Sequence, residues 1–417
     1  MSDRAVIVAA ARSPMGRAYR GAFAGTRPED LGRQVIEAAL AQVPELDPHT
    51  IDDIVLGCGQ PGGEHGSNIS RVIAVQLGLD TVPAMTMTRY CSASIQALRT
   101  AHHAIVAGEG DAFVTGGLEL ESRHRRGTSD HLPADAQALV GGTWQHHGYD
   151  EANARALARE QGGDLWSDPR ERGELPYVYM EMGRTAENVA GLKGVSRRAQ
   201  DEFALRSQQK AEAAIAAGFF TTDITPVRNA AGDWVSEDES PRVGSTIEKL
   251  AALQPVFRTA EEGGTVTAGN ACPLNDGAAS IIVMRESRAL ELGIRPRARI
   301  VASGVSALSP EIMGLAPIEA SRQAMRRAGM TIDDIDLVEL NEAFAAQAIP
   351  CVDELGVPDD RLNVHGGSIA IGHPFAMTGT RLVTTLLHSL EARDQQTGLA
   401  TMCVAGGQGM AIVIERV

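Results

Sequence analysis

Cys91 stands directly before a helix-patterned stretch, in the segment TMTRYCSASIQALRTAHHAIVAG at 86–108. A cysteine at the start of a helix feels the positive end of the helix macrodipole, which favours thiolate over thiol. The residues alone leave two interpretations open. Cys91 is either a nucleophile activated by the helix or a small apolar side chain in a core.

His373 occupies a comparable place in NVHGGSIAIGHPFAMTGTR, residues 363–381. Glycines bracket the short apolar run before it, and Pro374 follows; proline is favoured at the first helical position. The pattern therefore predicts that His373 lies at the cap of a helix. An imidazole there could accept a thiol proton or donate to an oxyanion.

Two further segments carry groups that could join this chemistry. Cys403 is predicted to end a strand, and Ala405 and the two glycines after it form a turn whose backbone N–H groups could face a ligand. Asn341 and Glu342 follow a predicted strand, where α/β sheets gather ligand groups, although such a pair is more often a helix cap.

The elements that position these residues occur twice. TIDDIVLGCG begins at Thr50 and TIDDIDLVELNEA begins at Thr331, each after an amphipathic helical stretch, at 28–43 and 316–330. Cys91 follows Thr50 by 41 residues, and His373 follows Thr331 by 42.

Another helix follows in both cases, and then a strand ending in Gly-Gly, at 112–117 and 401–407. Such a repetition predicts two similar α/β halves, with mostly parallel sheets covered by helices. Cys91 and His373 would occupy equivalent places in the two halves.

Composition narrows the class of protein. The chain of 417 residues suits two or three domains, and its net charge of −15 argues against nucleic-acid binding. No apolar run approaches the roughly 20 residues that span a bilayer. Five scattered cysteines indicate reduced thiols and a cytoplasmic location. The residue spacings predict no metal site and no dinucleotide-binding motif.

Taken together, these segments resemble the thiolase family over essentially the whole chain. GHP at 372–374, NEAF at 341–344, Cys-x-x-Gly-Gly at 403–407 and GTVTAGNACPLNDGAAS at 264–280 are specific in combination. MGRTAENVA and RRAQDEFALRSQQKA, in the polar region between the halves, add to the resemblance.

The resemblance implies an activity and a role for each candidate. Thiolases cleave a 3-ketoacyl-CoA with free CoA, or run the reverse Claisen condensation. Cys91 would carry the acyl group, His373 would accept its proton, and Cys403 would be the general acid/base. Asn341 would hold a water in one oxyanion site, and the N–H groups of Cys91 and Ala405 would form a second. Coenzyme A is then a substrate, with no tightly bound cofactor and no metal.

A fold and an assembly are implied as well. The expected architecture is a duplicated, layered αβαβα fold with an inserted loop domain. The first half would comprise 1–120 plus 274–295, the inserted CoA-binding domain 121–273, and the second half 296–417. The resemblance also implies a homodimer or homotetramer, β-oxidation enzymes as possible partners, and no nucleic-acid or membrane partner.

Contacts to CoA follow from the same resemblance, with ordinary packing as the alternative for each residue. Eight residues would each contact the pantetheine, the adenine nucleotide or the acyl group: Met182, Arg242, Lys249, Ala268, Cys272, Leu274, Met313 and Phe344. Arg242 and Lys249 belong to the adenine end, and Met313 and Phe344 to the acyl end.

Several positions depart from the family pattern. Glu181 stands where biosynthetic thiolases carry a His before Met-Gly, which weakens an assignment to acetoacetyl-CoA alone. Ala405 replaces a glycine, so a positive φ there would be strained. The other departures are Thr88, Ala93, Ser94, Cys272, His365 and Ala376.

Alternatives remain open at this point. Within the family, the chain could be a biosynthetic thiolase specific for acetoacetyl-CoA. A condensing 3-ketoacyl synthase would place His where this chain has Cys403 or Asn341. A non-catalytic acyl-CoA or lipid-binding homologue would have no need of Cys91, His373 and Cys403.

Overall fold

The computed structural model describes residues 4–124, 154 and 166–417. A ten-stranded sheet dominates it. Its strands are β1 (Ala5–Arg12), β2 (Gly16–Arg17), β3 (Asp53–Gly57), β4 (Ala84–Met87), β5 (Ala112–Leu120), β8 (Asn275–Arg285), β9 (Ala298–Ala307), β10 (Leu337–Leu340), β11 (Thr397–Val404) and β12 (Gln408–Arg416). They lie in the order β10-β11-β12-β9-β1-β8-β5-β3-β4, with β2 beside β8. A separate hairpin is formed by β6 (Val227–Arg228) and β7 (Trp234–Val235).

Helices cover the sheet and build the region between the halves. They are α1 (Pro28–Leu40), α2 (Ile69–Gln76), α3 (Ala93–Ala107), α4 (Met182–Lys193), α5 (Arg197–Ala216), α6 (Phe220–Asp223), α7 (Ile247–Ala251), α8 (Glu286–Glu291), α9 (Ala316–Ala328), α10 (Ala345–Leu355), α11 (Ser368–Ile371) and α12 (Phe375–Ala392). Within the described residues, no helix has the length and apolar character needed to cross a bilayer.

The sheet repeats one strand order about its centre. On one side it runs β1-β8-β5-β3, on the other β9-β12-β11-β10, and the two halves meet where β1 and β9 pair antiparallel. The parallel pair β3 and β5 matches the parallel pair β11 and β10. This symmetry agrees with the duplication inferred from the sequence.

The repeated pentapeptide, however, is three residues out of structural register. Asp52 Oδ2 accepts backbone hydrogen bonds from Asp111 and Ala112 at 2.6 and 2.9 Å. Asp336 Oδ2 does the same for Gln396 and Thr397, at 2.9 and 2.8 Å. Asp52 is therefore equivalent to Asp336, whereas the matched letters align Asp52 with Asp333.

Strand direction also differs from the expectation. Only β3/β4, β3/β5 and β10/β11 pair in parallel among the described strands of the large sheet; the other pairings are antiparallel. A tight turn rather than a helix joins β11 to β12, and antiparallel pairs need no crossover. β5 also continues past Gly116-Gly117 to Leu120, so its glycines lie inside the strand.

Five layers follow from how the buried side chains group. Alternate residues of β1 and β8 point to opposite faces, as the two-residue repeat of a strand requires. One face packs against α1 and α2, and the other against α3 and α12. The far side of α3 and α12 is covered by β11 and β12, whose outer face packs against α9 and α10. The predicted αβαβα layering is confirmed.

The part of the inserted region that is described, 166–273, lies mainly against the second half. Val189 of α4 and Phe203 of α5 join the core built by α9, α10 and β10. The Ser196 hydroxyl caps α5 by accepting from Ala199 N at 3.2 Å. Residues 125–153 and 155–165 of the predicted loop domain lie outside the described residues.

Candidate active site

Cys91 lies in a short 3₁₀ turn, Tyr90–Ser92, immediately before α3. Tyr90 has a φ of 44°, in the left-handed region that large side chains rarely adopt. The Tyr90 N–H donates to Thr88 Oγ1 at 3.3 Å, and that hydroxyl donates to Gly59 O at 3.1 Å. Strained backbone persists where its surroundings hold it, commonly at functional sites. The turn fixes Cys91 at a helix start, as predicted.

The Cys91 thiol is harder to ionise than the helix position suggests. Burial raises its pKa from 9.0 to about 12, the backbone N–H of Ala405 lowers it, and the Glu119 carboxyl adds a smaller increase. A helix macrodipole is worth about 0.3–1 kcal/mol, less than one pKa unit, so burial prevails. Burial therefore outweighs the expected effect of the helix start in the resting protein, and Cys91 needs a base.

His373 is the candidate base because a neutral imidazole keeps a lone pair, although burial makes it a weaker base than an exposed histidine. Burial lowers its pKa from 6.5 to about 3, and the Arg381 guanidinium lowers it further. Its Nδ1 lies 2.7 Å from Thr378 Oγ1, and its Nε2 lies 3.4 Å from Asn341 Nδ2. Pro374 is the N-cap of α12, so His373 precedes the cap by one residue, where the sequence predicted it at the cap itself.

The backbone around His373 depends on a glycine. Gly372 has a φ of 118°, and a Cβ there would lie 2.7 Å from Asn275 Oδ1. The same Oδ1 atom accepts the His373 backbone N–H at 3.0 Å. A side chain at 372 would be strained and would disturb this hydrogen bond. Gly372 thus lets Asn275 of the first half fix His373 of the second.

Cys403 is the penultimate residue of β11, which ends one residue later than predicted, and it is buried. Burial raises the pKa of its thiol well above the ordinary value, and Cys91 is the largest electrostatic contributor after burial. Cys91 likewise raises the pKa of Cys272, after burial. Thiols contributed by the two halves and by residue 272 therefore lie near enough to affect one another's ionisation.

The hairpin after Cys403 shows whether Ala405, which replaces a glycine of the family pattern, is strained. Gly406 and Gly407 have φ of 77° and 78°, whereas Ala405 has no positive φ. The alanine is therefore unstrained, and its N–H interacts with the Cys91 sulfur.

Several predicted CoA contacts surround Cys403 in one apolar cluster: Met182, Cys272, Met313 and Phe344. Gly183, beside Met182, contacts Phe257 so closely that a Cβ would lie 2.1 Å from its ring. The Cys272 N–H donates to Ala343 O at 3.0 Å, which joins this strip to the NEAF segment.

A second group lines an adjoining cavity of about 380 Å³. Arg242, Ala268 and Leu274 line it, together with Arg17 and Arg20. Lys249 is not part of its lining; its Nζ donates to Gly244 O at 2.9 Å. Ala271 and Pro273, which flank Cys272, line the cavity and connect it to the cluster around Cys403.

Sequence reasoning missed residues whose partners are distant in the chain. Thr378 contacts His373 and Ser368 contacts Asn341, while Arg381 contacts Ser368. These contacts arise from the packed fold, although Thr378 stands only five residues after His373, one helical turn into α12. Arg17 and Arg20 were visible as a short basic segment, GRAYRG, between the first strands.

Near the site, His65, Glu119 and His124 bring potential ligand atoms within 4.8 Å of one another. The two imidazoles stack with centroids 4.5 Å apart. The Leu120 backbone N–H donates to His65 Nε2 at 3.0 Å, which occupies the lone pair that a metal would need. The group is therefore a poor metal site.

Comparisons with known proteins agree with this arrangement. The family models "Thiolase, N-terminal domain" and "Thiolase, C-terminal domain" match residues 5–287 and 294–416. The 3-ketoacyl-CoA thiolase of Serratia proteamaculans is 42% identical, covering 100% of both chains. That of Pseudoalteromonas translucida is 42% identical, covering 99% of this chain and 98% of its own. The crystal structure of the Bacillus anthracis acetyl-CoA acetyltransferase matches with a TM-score of 0.84 and 36% identity, over 100% of this chain and 99% of its own.

Proposed function

The chain belongs to the thiolase family, and we propose that it transfers acyl groups between CoA thioesters through an acyl-cysteine on Cys91. In the degradative direction, a 3-ketoacyl-CoA and free CoA give acetyl-CoA and a shortened acyl-CoA. In the other direction, two acyl-CoA molecules condense. The observation that carries the proposal is that Cys91 and Cys403, from opposite halves, lie close enough to affect each other's ionisation, in a site that also holds the buried His373 and Asn341.

In acylation, His373 Nε2 takes the Cys91 proton as the sulfur attacks the keto carbon. The resulting oxyanion needs donors, and preorganised ones are worth about 2.7–4 kcal/mol in such sites. The backbone N–H groups of Cys91 and Ala405 supply two at one position. His373 Nε2–H, once protonated, and Asn341 Nδ2–H supply donors at another, directly or through a water.

Cys403 transfers the proton to and from the α-carbon of acetyl-CoA. When the C–C bond breaks, its electron pair passes to the departing acetyl-CoA as an enolate, whose carbon takes the Cys403 proton. Free CoA gives its thiol proton to the Cys403 thiolate, and its sulfur takes the acyl group from Cys91. The released Cys91 sulfur regains the proton held by His373, which closes the cycle. A thiol with a raised pKa suits this task because it holds its proton until a strong carbon base forms.

We propose the described region 166–273, with Arg17 and Arg20 of the first half, as the CoA-binding part. The cavity with Arg17, Arg20 and Arg242 offers cationic groups for the phosphates. Its apolar lining, Ala268 and Leu274, leads towards Cys272 and the cluster around Cys403. Lys249 remains a proposed nucleotide contact from the family resemblance alone.

For the substrate, we propose 3-ketoacyl-CoA rather than acetoacetyl-CoA alone, because Glu181 replaces the His of the biosynthetic pattern. The relatives above carry the name 3-ketoacyl-CoA thiolase, while the structural neighbour is named an acetyl-CoA acetyltransferase. The second candidate is therefore an acetoacetyl-CoA-specific biosynthetic thiolase.

The test is acylation by 3-ketoacyl-CoA in the absence of free CoA, followed by mass spectrometry of the intact and digested protein. We expect one acyl group, on Cys91, and none in Cys91→Ser. Cys351→Ser is the matched control because Cys351 is buried in the core built by α9 and α10, where its thiol donates to Gly314 O at 3.2 Å. Acyl groups on another cysteine, or binding without acylation, would refute the proposal in favour of a different nucleophile or a passive homologue.

We also propose a homodimer or homotetramer in the cytoplasm, with β-oxidation enzymes as possible partners. β4 is the last strand of the described sheet, and Val72, Val75 and Met85 beside it are exposed. An apolar edge of this kind favours association. Light scattering of the wild type and of Val75→Glu tests it: the variant should shift towards monomer.

A further inference from the structure

We propose that Ser368 and Arg381 are positioning residues that, with Glu339, lock the Asn341 amide and thereby hold His373 as the base. The inference rests on the proposed function, since it concerns how His373 is prepared to take the Cys91 proton. It concerns residues that contact neither Cys91 nor the substrate path described above, and it follows from the direction of each hydrogen bond in a buried chain.

The series of hydrogen bonds begins at an ion pair inside the second half. Arg381 Nη1 lies 3.2 Å from Glu339 Oε2, and both side chains are buried. Arg381 Nη2 lies 2.6 Å from Ser368 Oγ. A guanidinium can only donate hydrogen bonds, so Ser368 Oγ accepts here.

The Ser368 proton is then free for one other partner. Asn341 Oδ1 lies 2.6 Å from Ser368 Oγ, and it accepts that proton. The amide oxygen of Asn341 is thereby fixed towards Ser368, so Nδ2 faces His373 Nε2 at 3.4 Å. An N–H that faces Nε2 requires a lone pair on that nitrogen, and at 3.4 Å the contact is too long to prevent this lone pair from taking the Cys91 proton.

The opposite side of the imidazole gives the same answer independently. Thr378 Oγ1 donates to Pro374 O at 2.7 Å. It must therefore accept from His373 Nδ1–H, which lies 2.7 Å away. Both ends of the ring select the tautomer with a proton on Nδ1 and a lone pair on Nε2.

The consequence is that His373 in the resting protein can accept a proton at Nε2 and has none to donate from it. If the Asn341 amide turned over, its oxygen would face Nε2 and would stabilise the tautomer that carries a proton there, which cannot accept one from Cys91. Ser368 prevents this because its single proton needs an acceptor. Once Nε2 is protonated, its N–H and that of Asn341 both lack an acceptor, and they can donate to the same substrate oxygen.

Ser368→Ala is the first test, with Ser389→Ala as the matched control. Ser389 is also a buried serine of the second half, but it donates only to Thr385 O, at 2.6 Å. We expect alkylation of Cys91 by iodoacetamide at neutral pH to slow about tenfold in Ser368→Ala, a fraction of what a general base contributes. Ser389→Ala should react like the wild type, and Ser368→Thr, which keeps the hydroxyl, should recover the rate.

A second measurement reports the tautomer of His373 directly. ¹⁵N spectra of the protein labelled at histidine, with His373 assigned by its loss in His373→Asn, report which ring nitrogen carries the proton. A protonated Nδ1 and bare Nε2 in the resting protein support the proposal, together with a redistribution in Ser368→Ala. A proton on Nε2 in the wild type, or an unchanged tautomer and unchanged alkylation in Ser368→Ala, overturns it. Because neither readout uses acyl-CoA, failure here is distinguishable from absence of acyl transfer.

Discussion

Glu119 Oε2 accepts a hydrogen bond at 3.2 Å from the backbone N–H of Ala376, in the first turn of α12. The same carboxyl accepts from Gly59 N at 2.6 Å and from Gln60 N at 3.1 Å. One buried acid of β5 thus ties a loop of the first half to the helix that follows His373. Burial raises the pKa of Glu119 to about 7, while these N–H donors oppose the shift.

Replacing Glu119 by Gln should therefore weaken both stability and catalysis. The amide NH₂ would face backbone N–H donors in place of one accepting oxygen, and a buried unsatisfied donor costs about 1–3 kcal/mol. We expect the free energy of unfolding to fall by that amount and kcat to fall more than KM rises. Urea unfolding and steady-state kinetics measure both. Glu202→Gln, on the exposed face of α5, is the control, and equal stability of the two variants would contradict the anchoring role.

The neutral state of His373 predicts a pH-dependent stability difference. Its pKa is about 3 in the folded chain and about 6.5 when unfolded, so only the unfolded chain binds a proton between these values. The stability that neutral His373 permits is complete above about pH 6.5 and declines as the pH falls towards 3. Between pH 7 and 5 the wild type should lose about 2 kcal/mol that His373→Asn does not lose.

Urea unfolding of both proteins at pH 7 and pH 5, at one protein concentration, measures this difference. Comparing the two proteins cancels the opposing contributions of buried acids such as Glu119. A gap between wild type and variant that stays constant with pH would show that His373 is solvated and titrates normally.

The Cys403→Ser variant distinguishes the proposed role of Cys403 from that of Cys91. Acylation of Cys91 by acetyl-CoA, which breaks no C–C bond, should continue at a rate similar to wild type, because His373 supplies the base. Exchange of the acetyl-CoA α-protons with deuterated water should stop, since a serine hydroxyl is a far weaker acid. Mass spectrometry follows both events in one sample. Exchange at the wild-type rate would remove Cys403 from the carbon-acid step.

Glu181 is the N-cap residue of α4, and its neighbour Met182 packs in the cluster around Cys403. We expect Glu181→His to raise the kcat/KM ratio for acetoacetyl-CoA over longer 3-ketoacyl-CoA substrates. Glu181→Gln removes the charge without adding an imidazole and should leave the ratio near that of the wild type. Identical ratios in all three proteins would show that this position does not select the chain length.

Arg242→Ala and Arg17→Ala should weaken recognition of the nucleotide alone. Losing a hydrogen bond to a charged group costs about 1.5–3 kcal/mol, so KM for CoA substrates should rise about tenfold or more. Thioesters of N-acetylcysteamine, which lack the nucleotide, should be used as in the wild type. Arg198→Ala, an exposed arginine of α5, is the control. An equal loss with both substrate types would place these arginines outside phosphate recognition.

Local patterns in the sequence predicted the duplication and placed Cys91, His373, Asn341 and Cys403 near helix starts and strand ends, while the five layers were predicted from the family resemblance. It misplaced the equivalence of Asp52 and Asp336, since a five-letter identity carries no information on register. The sequence also did not reveal that the sheet is mixed, because the residue pattern of a strand is the same whether its neighbour is parallel or antiparallel to it.

What the pattern could not give are contacts that depend on distant parts of the chain. Ser368, Thr378 and Arg381 read as ordinary helix residues, and only the packed structure shows whose lone pairs and protons they meet. The raised pKa of Cys91 is also a property of burial, which outweighed the local effect of the helix that the sequence did reveal.

The central layer formed by α3 and α12, which packs between the two halves, bears on how such a chain arose. The β1–β9 seam involves only Val6 and Ile7 of β1, so the two central helices, rather than strand pairing, unite the halves. Cut apart, each half would present one of these helices bare on its inner side. A single ancestral unit could thus have been stable only by pairing with a second copy, and fusion of two genes would then have made permanent an association that already existed.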